Sequence, residues 1–174
     1  MSNVKGPDVA LEKEQALEEM VNLYQHTLLK MCYLHLKDRA LAEDAVQETF
    51  LKAYRSMDSF RQESSIKTWL IKIALNTCRD MNRSGWLRFM DRKYTPDMLP
   101  EASIPFEEKD EELVLAVMQL PIKLREVMLL HYYQDLSTVE ISHLLGLAQS
   151  SVSGRLKRGR EKLRTLLERR EPHA

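Results

Sequence analysis

Between residues 149 and 164, Gln149, Ser153, Lys157, Arg160 and Arg164 recur every third or fourth position, which stacks polar and cationic groups along one face of a helix. Such a face neutralises phosphates, and arginine also reads guanine edges, so its chemistry is nucleic-acid binding. Lys72, Asn76, Arg79 and Arg83 repeat the pattern earlier in the chain, with asparagine suited to adenine. Catalysis has no comparable support. His26, His35, His131, His143 and His173 are scattered, and no nucleophile elbow, glycine-rich phosphate loop or metal-ligand spacing occurs. The chain is therefore not expected to be an enzyme, to hold a metal or cofactor, or to take a small-molecule substrate. His26 and His35 read as helix-surface residues, and Cys32 and Cys78 as small buried hydrophobes rather than a redox pair or two metal ligands.

Two further surfaces invite a functional reading. Phe60-Arg61-Gln62-Glu63-Ser64-Ser65 is a polar loop flanked by aromatics, of a kind that can hold a base taken out of the stack. On these residues alone an ordinary loop is the simpler account. Glu43, Asp44, Gln47, Glu48 and Leu51 lie together on a helix surface away from its apolar positions; an acidic face with an exposed leucine fits a protein contact, though a single exposed leucine is also ordinary.

The elements that must position these groups are helical. Leu17, Met20, Val21, Tyr24, Leu28 and Met31 mark one apolar helix face. Ala42, Ala45, Val46, Thr49, Phe50, Ala53, Tyr54 and Met57 mark a second, and Trp69, Leu70, Ile73, Ala74, Thr77, Cys78 and Met81 a third. Trp69 reads as core rather than as a DNA-melting wedge. This first bundle ends near Arg83 to Trp86. Between Gly85 and Glu112 periodicity fades, and Pro96, Pro100 and Pro105 lie in an acidic stretch that reads as a linker. Periodicity returns over Leu113 to Leu120, and Pro121 opens a helix through Tyr133. Ser137-Thr138-Val139-Glu140 is a capping box that starts a short helix, and Gly146 supplies the bend that ends it. The next helix carries Val152, Leu156, Gly159, Leu163 and Leu166 on its apolar face, although Ala148 is a poor N-cap. Helix, three-residue turn and helix, with a cationic outer face on the second, make a helix-turn-helix. A solvated face on an ordinary helical hairpin would share the stripe but not the ordered set of cap, turn and stripe.

The predicted fold class is all-α: two small helical domains, residues 10–86 and 112–170, joined by an acidic, proline-containing linker over 87–111. Charge follows that division. Lysine and arginine total 26 and aspartate and glutamate 26, so the net charge is zero, yet Ile66 to Lys93 holds seven bases against two acids and Gln149 to Arg170 eight against two. Asp97 to Glu112, between them, holds seven acids against one base. Two basic blocks imply two DNA-facing surfaces, while overall neutrality keeps unaided DNA affinity low, so a larger partner is implied. No run is long enough to span a membrane, and Met1 to Ala10 lack a basic region followed by an apolar one, so neither membrane insertion nor a signal peptide is expected and the cytoplasm is the expected location.

The run Ala42-Glu43-Asp44-Ala45-Val46-Gln47-Glu48-Thr49-Phe50, with Phe60-Arg61, Thr68-Trp69-Leu70 and Asn76-Thr77-Cys78-Arg79-Asp80, resembles region 2 of the extracytoplasmic-function (ECF) bacterial sigma factors of the sigma-70 superfamily. Leu120-Pro121 through Leu136-Ser137, Glu140-Ile141 and Val152 to Leu163 resemble their region 4. The resemblance implies a subunit that binds core RNA polymerase and directs initiation at promoters, for a stress regulon under anti-sigma control. It implies that Asp44, Gln47, Glu48 and Leu51 dock on the clamp helices of the largest polymerase subunit. Phe60, Arg61, Gln62, Glu63 and Ser64, with Lys72, Asn76, Arg79 and Arg83, would take the −10 element. Gln149, Ser150, Ser153, Arg155, Lys157, Arg158 and Arg160 would take the −35 element in the major groove. Two departures stand out: Ser153 and Gly154 replace the basic or polar residues of many members, and Gln62-Glu63 replaces the more usual glycine-acid pair. The competing reading is a free-standing helix-turn-helix repressor or activator, usually a dimer on a palindrome. The second basic block, which a one-headed regulator does not need, argues against it.

Overall fold

A computed structural model describes residues 7–84 and 111–169 of the 174-residue chain. Among these residues every regular element is helical. The contacts divide the chain into two units, each with its own interior.

The first unit consists of α1 (Pro7–Leu36), α2 (Arg39–Ser56), a 3-10 turn (Met57–Ser59) and α3 (Ile66–Arg83), with all three helices in mutual contact. Two residues turn α1 into α2. Lys37, at φ 61°, donates its N–H to the Tyr33 carbonyl at 2.7 Å and closes α1; the Asp38 carboxylate accepts from Leu41 N at 3.0 Å and opens α2. Ser65 opens α3 in the same way, accepting from Thr68 N at 3.1 Å.

On α2 the buried set is Ala42, Ala45, Val46, Thr49, Phe50 and Ala53, as the periodicity predicts. Thr49 satisfies its hydroxyl by donating to the Ala45 carbonyl at 2.6 Å. On α3 the buried set is Leu70, Ile71, Ala74, Leu75, Thr77 and Cys78, while Trp69, Ile73 and Met81 are only half-buried. Because α1 and α2 both pack on α3, its covered face spreads sideways to Ile71 and Leu75. Each fully buried leucine or isoleucine here contributes roughly 1.5–3 kcal/mol.

The last turns of α1 depart from the amphipathic expectation, since Met31 through Leu36 are all buried. His35 is among them at 2 % exposure, its Nδ1 3.4 Å from the Asn82 side-chain nitrogen on α3. The expectation that His35 lies on the surface is therefore corrected, whereas His26 is exposed. Cys32 and Cys78 are free, wholly buried thiols on α1 and α3. A hydrogen bond to Cys78, together with burial, holds the Cys32 thiol well above its ordinary range. The burial of both side chains fits the small hydrophobes expected.

The second unit consists of α4 (Glu111–Gln119), α5 (Ile122–Met128) continued by a π-helical turn (Leu129–Tyr133), α6 (Thr138–Leu145) and α7 (Gln149–Glu168). Its interior gathers Val114, Leu115 and Met118 with Val127, Leu130, Leu136, Ile141, Val152 and Leu156. Arg125 is buried and donates through Nη1 to the Met118 carbonyl at 2.7 Å, satisfying the C-terminal end of α4. The helix predicted through Tyr133 does run that far, but its last turn is π, with Gln134 N–H reaching back to the Leu129 carbonyl at 3.1 Å. The linker expected over 87–111 lies almost wholly outside the described residues, as does His173.

Candidate nucleic-acid and polymerase interfaces

The helix-turn-helix is built from local hydrogen bonds. Ser137 Oγ accepts from Glu140 N at 3.2 Å while the Glu140 carboxylate accepts from Ser137 N at 2.8 Å, a complete capping box. The backbone N–H of Ser137, with its hydroxyl, holds the Glu140 carboxyl below the ordinary carboxylate range. Gly146 ends α6 at φ 63°, in the left-handed region that glycine adopts without strain. Ala148 begins α7 with no side-chain cap, as its chemistry dictates.

On α7, Val152, Leu156 and Gly159 are buried, and the predicted stripe of Gln149, Ser153, Lys157, Arg160 and Arg164 is exposed throughout. Ser150 and Arg158 are exposed as well, with Arg158 Nε donating to the Gly154 carbonyl at 3.3 Å; Arg155 is half-buried. Two hydrogen bonds pin the stripe to the elements before it. Gln149 Nε2 donates to Thr138 Oγ1 at 2.9 Å, and Arg160 Nη1 donates to the Tyr132 hydroxyl at 3.2 Å. Tyr132 is not among the residues singled out from the sequence, and Thr138 is named there only within the capping box. Their contacts span 11 and 28 positions, which no local pattern reports.

In the first unit, Lys72, Asn76 and Arg83 are exposed on α3 away from its buried face, and Arg79 on the same side is half-buried. The loop ahead of α3 leaves Arg61, Gln62, Glu63 and Ser64 exposed. Phe60 is half-buried and stacks on Trp69 with ring centroids 4.6 Å apart. That stack occupies Trp69 within the chain, in keeping with a packing role. Gln62 sits at φ 55°, in the left-handed region that favours glycine.

On α2, Asp44, Gln47 and Leu51 are exposed, Leu51 at 48 %, and Glu48 is half-buried. Glu48 lies 3.9 Å from Lys52 Nζ, which also donates to Thr77 Oγ1 on α3 at 3.1 Å. Surface pairs of this kind contribute about 0–1 kcal/mol, so the face is held by the α2–α3 packing rather than by its charges. Among the described residues no group of three or more His, Cys, Asp or Glu is placed to hold a metal, and no helix is long and apolar enough to cross a membrane.

An all-helical chain of two modules, with a helix-turn-helix in the second, is the class this geometry defines. Residues 20–88 match Sigma-70 region 2, and residues 110–163 match Sigma-70 region 4. The chain is 30 % identical to ECF RNA polymerase sigma factor SigW of Bacillus subtilis, over 88 % of this chain and 90 % of that one. It is 28 % identical to RNA polymerase sigma-H factor of Pseudomonas aeruginosa, over 85 % and 84 % respectively. Among solved structures, CnrH in complex with the cytosolic domain of CnrY aligns with a TM-score of 0.70 at 25 % identity, covering 91 % of each chain. The RpoE sigma factor bound to the anti-sigma factor NepR, from Bartonella quintana, shares the fold with a TM-score of 0.71 at 24 % identity, over 88 % of this chain and 98 % of that one. The chain belongs to the ECF RNA polymerase sigma factors of the sigma-70 superfamily. A free-standing helix-turn-helix regulator does not account for matches to both regions in one chain.

Proposed function

We propose that this chain is the promoter-specificity subunit of an RNA polymerase holoenzyme: it binds core polymerase, engages the −10 and −35 elements and directs initiation without catalysing a reaction itself. The observation that carries the reading is the exposed, partly cationic helix face in each of two separate modules, Lys72, Asn76 and Arg83 on α3 and Ser153, Lys157 and Arg160 on α7. Residues 10–86 serve the −10 element and the polymerase, 112–170 serve the −35 element, and the acidic segment 87–111 joins them.

In this reading α7 enters the major groove, where Ser153, Lys157, Arg158 and Arg160 meet base edges and phosphates while Gln149, Ser150 and Arg155 set its register. The loop from Phe60 to Ser64, floored by the Phe60–Trp69 stack, receives a flipped base, and Lys72, Asn76, Arg79 and Arg83 track the strand beside it. Asp44, Gln47, Glu48 and Leu51 dock on the clamp helices of the largest polymerase subunit, with Leu51 as the apolar anchor inside an acidic rim. The site of action is the cytoplasm. The reading includes a protein antagonist, an anti-sigma factor acting within a stress response; CnrH, solved in complex with the cytosolic domain of CnrY, supports a protein partner.

Arg158→Ala tests the assignment in reconstituted holoenzyme. Initiation should fall about tenfold on a promoter carrying both elements, the cost of one bidentate base contact, with little change in thermal stability. An equal fall on a template lacking the −35 element contradicts it.

A further inference from the structure

The π-helical turn at Leu129–Tyr133 carries Tyr132 into solvent, 54 % exposed, beside the cationic stripe of α7. The ring is braced from behind: His131 meets its edge with centroids 4.8 Å apart at 78°, and His131 Nδ1 donates to the Leu136 carbonyl at 2.8 Å. In front, the Tyr132 oxygen accepts from Arg160 Nη1 at 3.2 Å. A phenol that accepts from a guanidinium keeps its own O–H to donate, and the guanidinium keeps further N–H donors. The exposed pair therefore keeps unused donors, the guanidinium ones cationic, on the helix that also exposes Lys157 and Arg164. The ring, although braced by His131, is left 54 % exposed next to this cationic strip. A pair that offers cationic donors to solvent suits an anion, and on the recognition helix that anion is a backbone phosphate.

We propose that Tyr132 and Arg160 form a phosphate clasp for the DNA backbone flanking the −35 element, with Tyr132 orienting Arg160 and adding its own hydroxyl donor. Tyr132 lies in the π turn, and such turns are frequent at functional sites. This inference rests on the proposed docking of α7 in the major groove.

Tyr132→Phe removes the hydroxyl alone and keeps the ring against His131. It is measured in holoenzyme beside Arg160→Ala and the double variant, on templates with and without the −35 element and across a salt series. The clasp predicts a loss of roughly tenfold for Tyr132→Phe on the −35 template only, the worth of one charge-assisted hydrogen bond. It predicts that the double variant loses less than the two single losses combined, and that Arg160→Ala lowers the salt slope of binding by about one phosphate contact. Wild-type behaviour of Tyr132→Phe, or a loss that adds in full to that of Arg160→Ala, overturns the clasp while leaving the recognition helix in place. If Arg158→Ala and Arg160→Ala are both silent on the −35 template, the docking of α7 fails and the clasp falls with it.

Discussion

A Cβ placed on Gly159 of α7 would lie 2.9 Å from both Cγ and Sδ of Met128 on α5, so these two residues set how closely the recognition helix approaches its support. Gly154, on the same helix, meets nothing within 4 Å. The two glycines should respond in opposite senses to substitution. Gly159→Val must displace the buried Met128 side chain or part the helices, and should cost about 1–3 kcal/mol. Gly154→Ala only improves helix propensity and should gain about 0.5–1 kcal/mol. Urea denaturation of the two variants checks this; a Gly159→Val protein as stable as wild type would show that α7 does not pack this closely.

Gln62 holds a left-handed backbone at φ 55° in an exposed loop. Gln62→Gly removes that strain at the cost of extra unfolded-state freedom, and a net gain of roughly 0.5–1 kcal/mol is expected. The melting temperature should rise by a few degrees, and a fall would place the loop in a different conformation.

The depressed Glu140 carboxyl makes the second module sensitive to acid. The folded-state pKa lies below the unfolded one, so the capping box stabilises fully above the ordinary glutamate range and its contribution is lost as pH falls through the lower, folded value. Glu140→Gln keeps an acceptor for the Ser137 N–H but does not titrate, so its stability should fall less between about pH 5 and pH 3 than that of the wild type. Parallel acid profiles would remove the capping box from the account.

Cys32 and Cys78 should resist alkylation in the native chain and react only on opening of the α1–α3 contact, with rates that track global stability in denaturant. Rapid native labelling of either thiol would contradict the packing of the first unit.

What was legible in the sequence was whatever local chemistry decides. The Ser137–Glu140 box, the Gly146 bend and the buried face of α2 follow from spacings of three or four residues, and all are present. Misreadings arise where a distant partner decides. His35 carries a polar label, but Asn82, 47 positions away, receives it in the interior. Ile71 and Leu75 on α3 are buried because two helices flank that face, which widens the apolar arc beyond the periodic set. Tyr132 was silent because a π turn has no pattern of its own and the partner, Arg160, lies on another helix.

Run-off transcription with purified core RNA polymerase tests the central claim most directly. Adding the purified chain should switch core enzyme from non-specific to promoter-specific starts on templates bearing both elements, and Leu51→Asp should reduce that activity by placing a charge in the proposed polymerase contact. If core polymerase initiates identically with and without the chain on all such templates, the promoter-specificity role is contradicted.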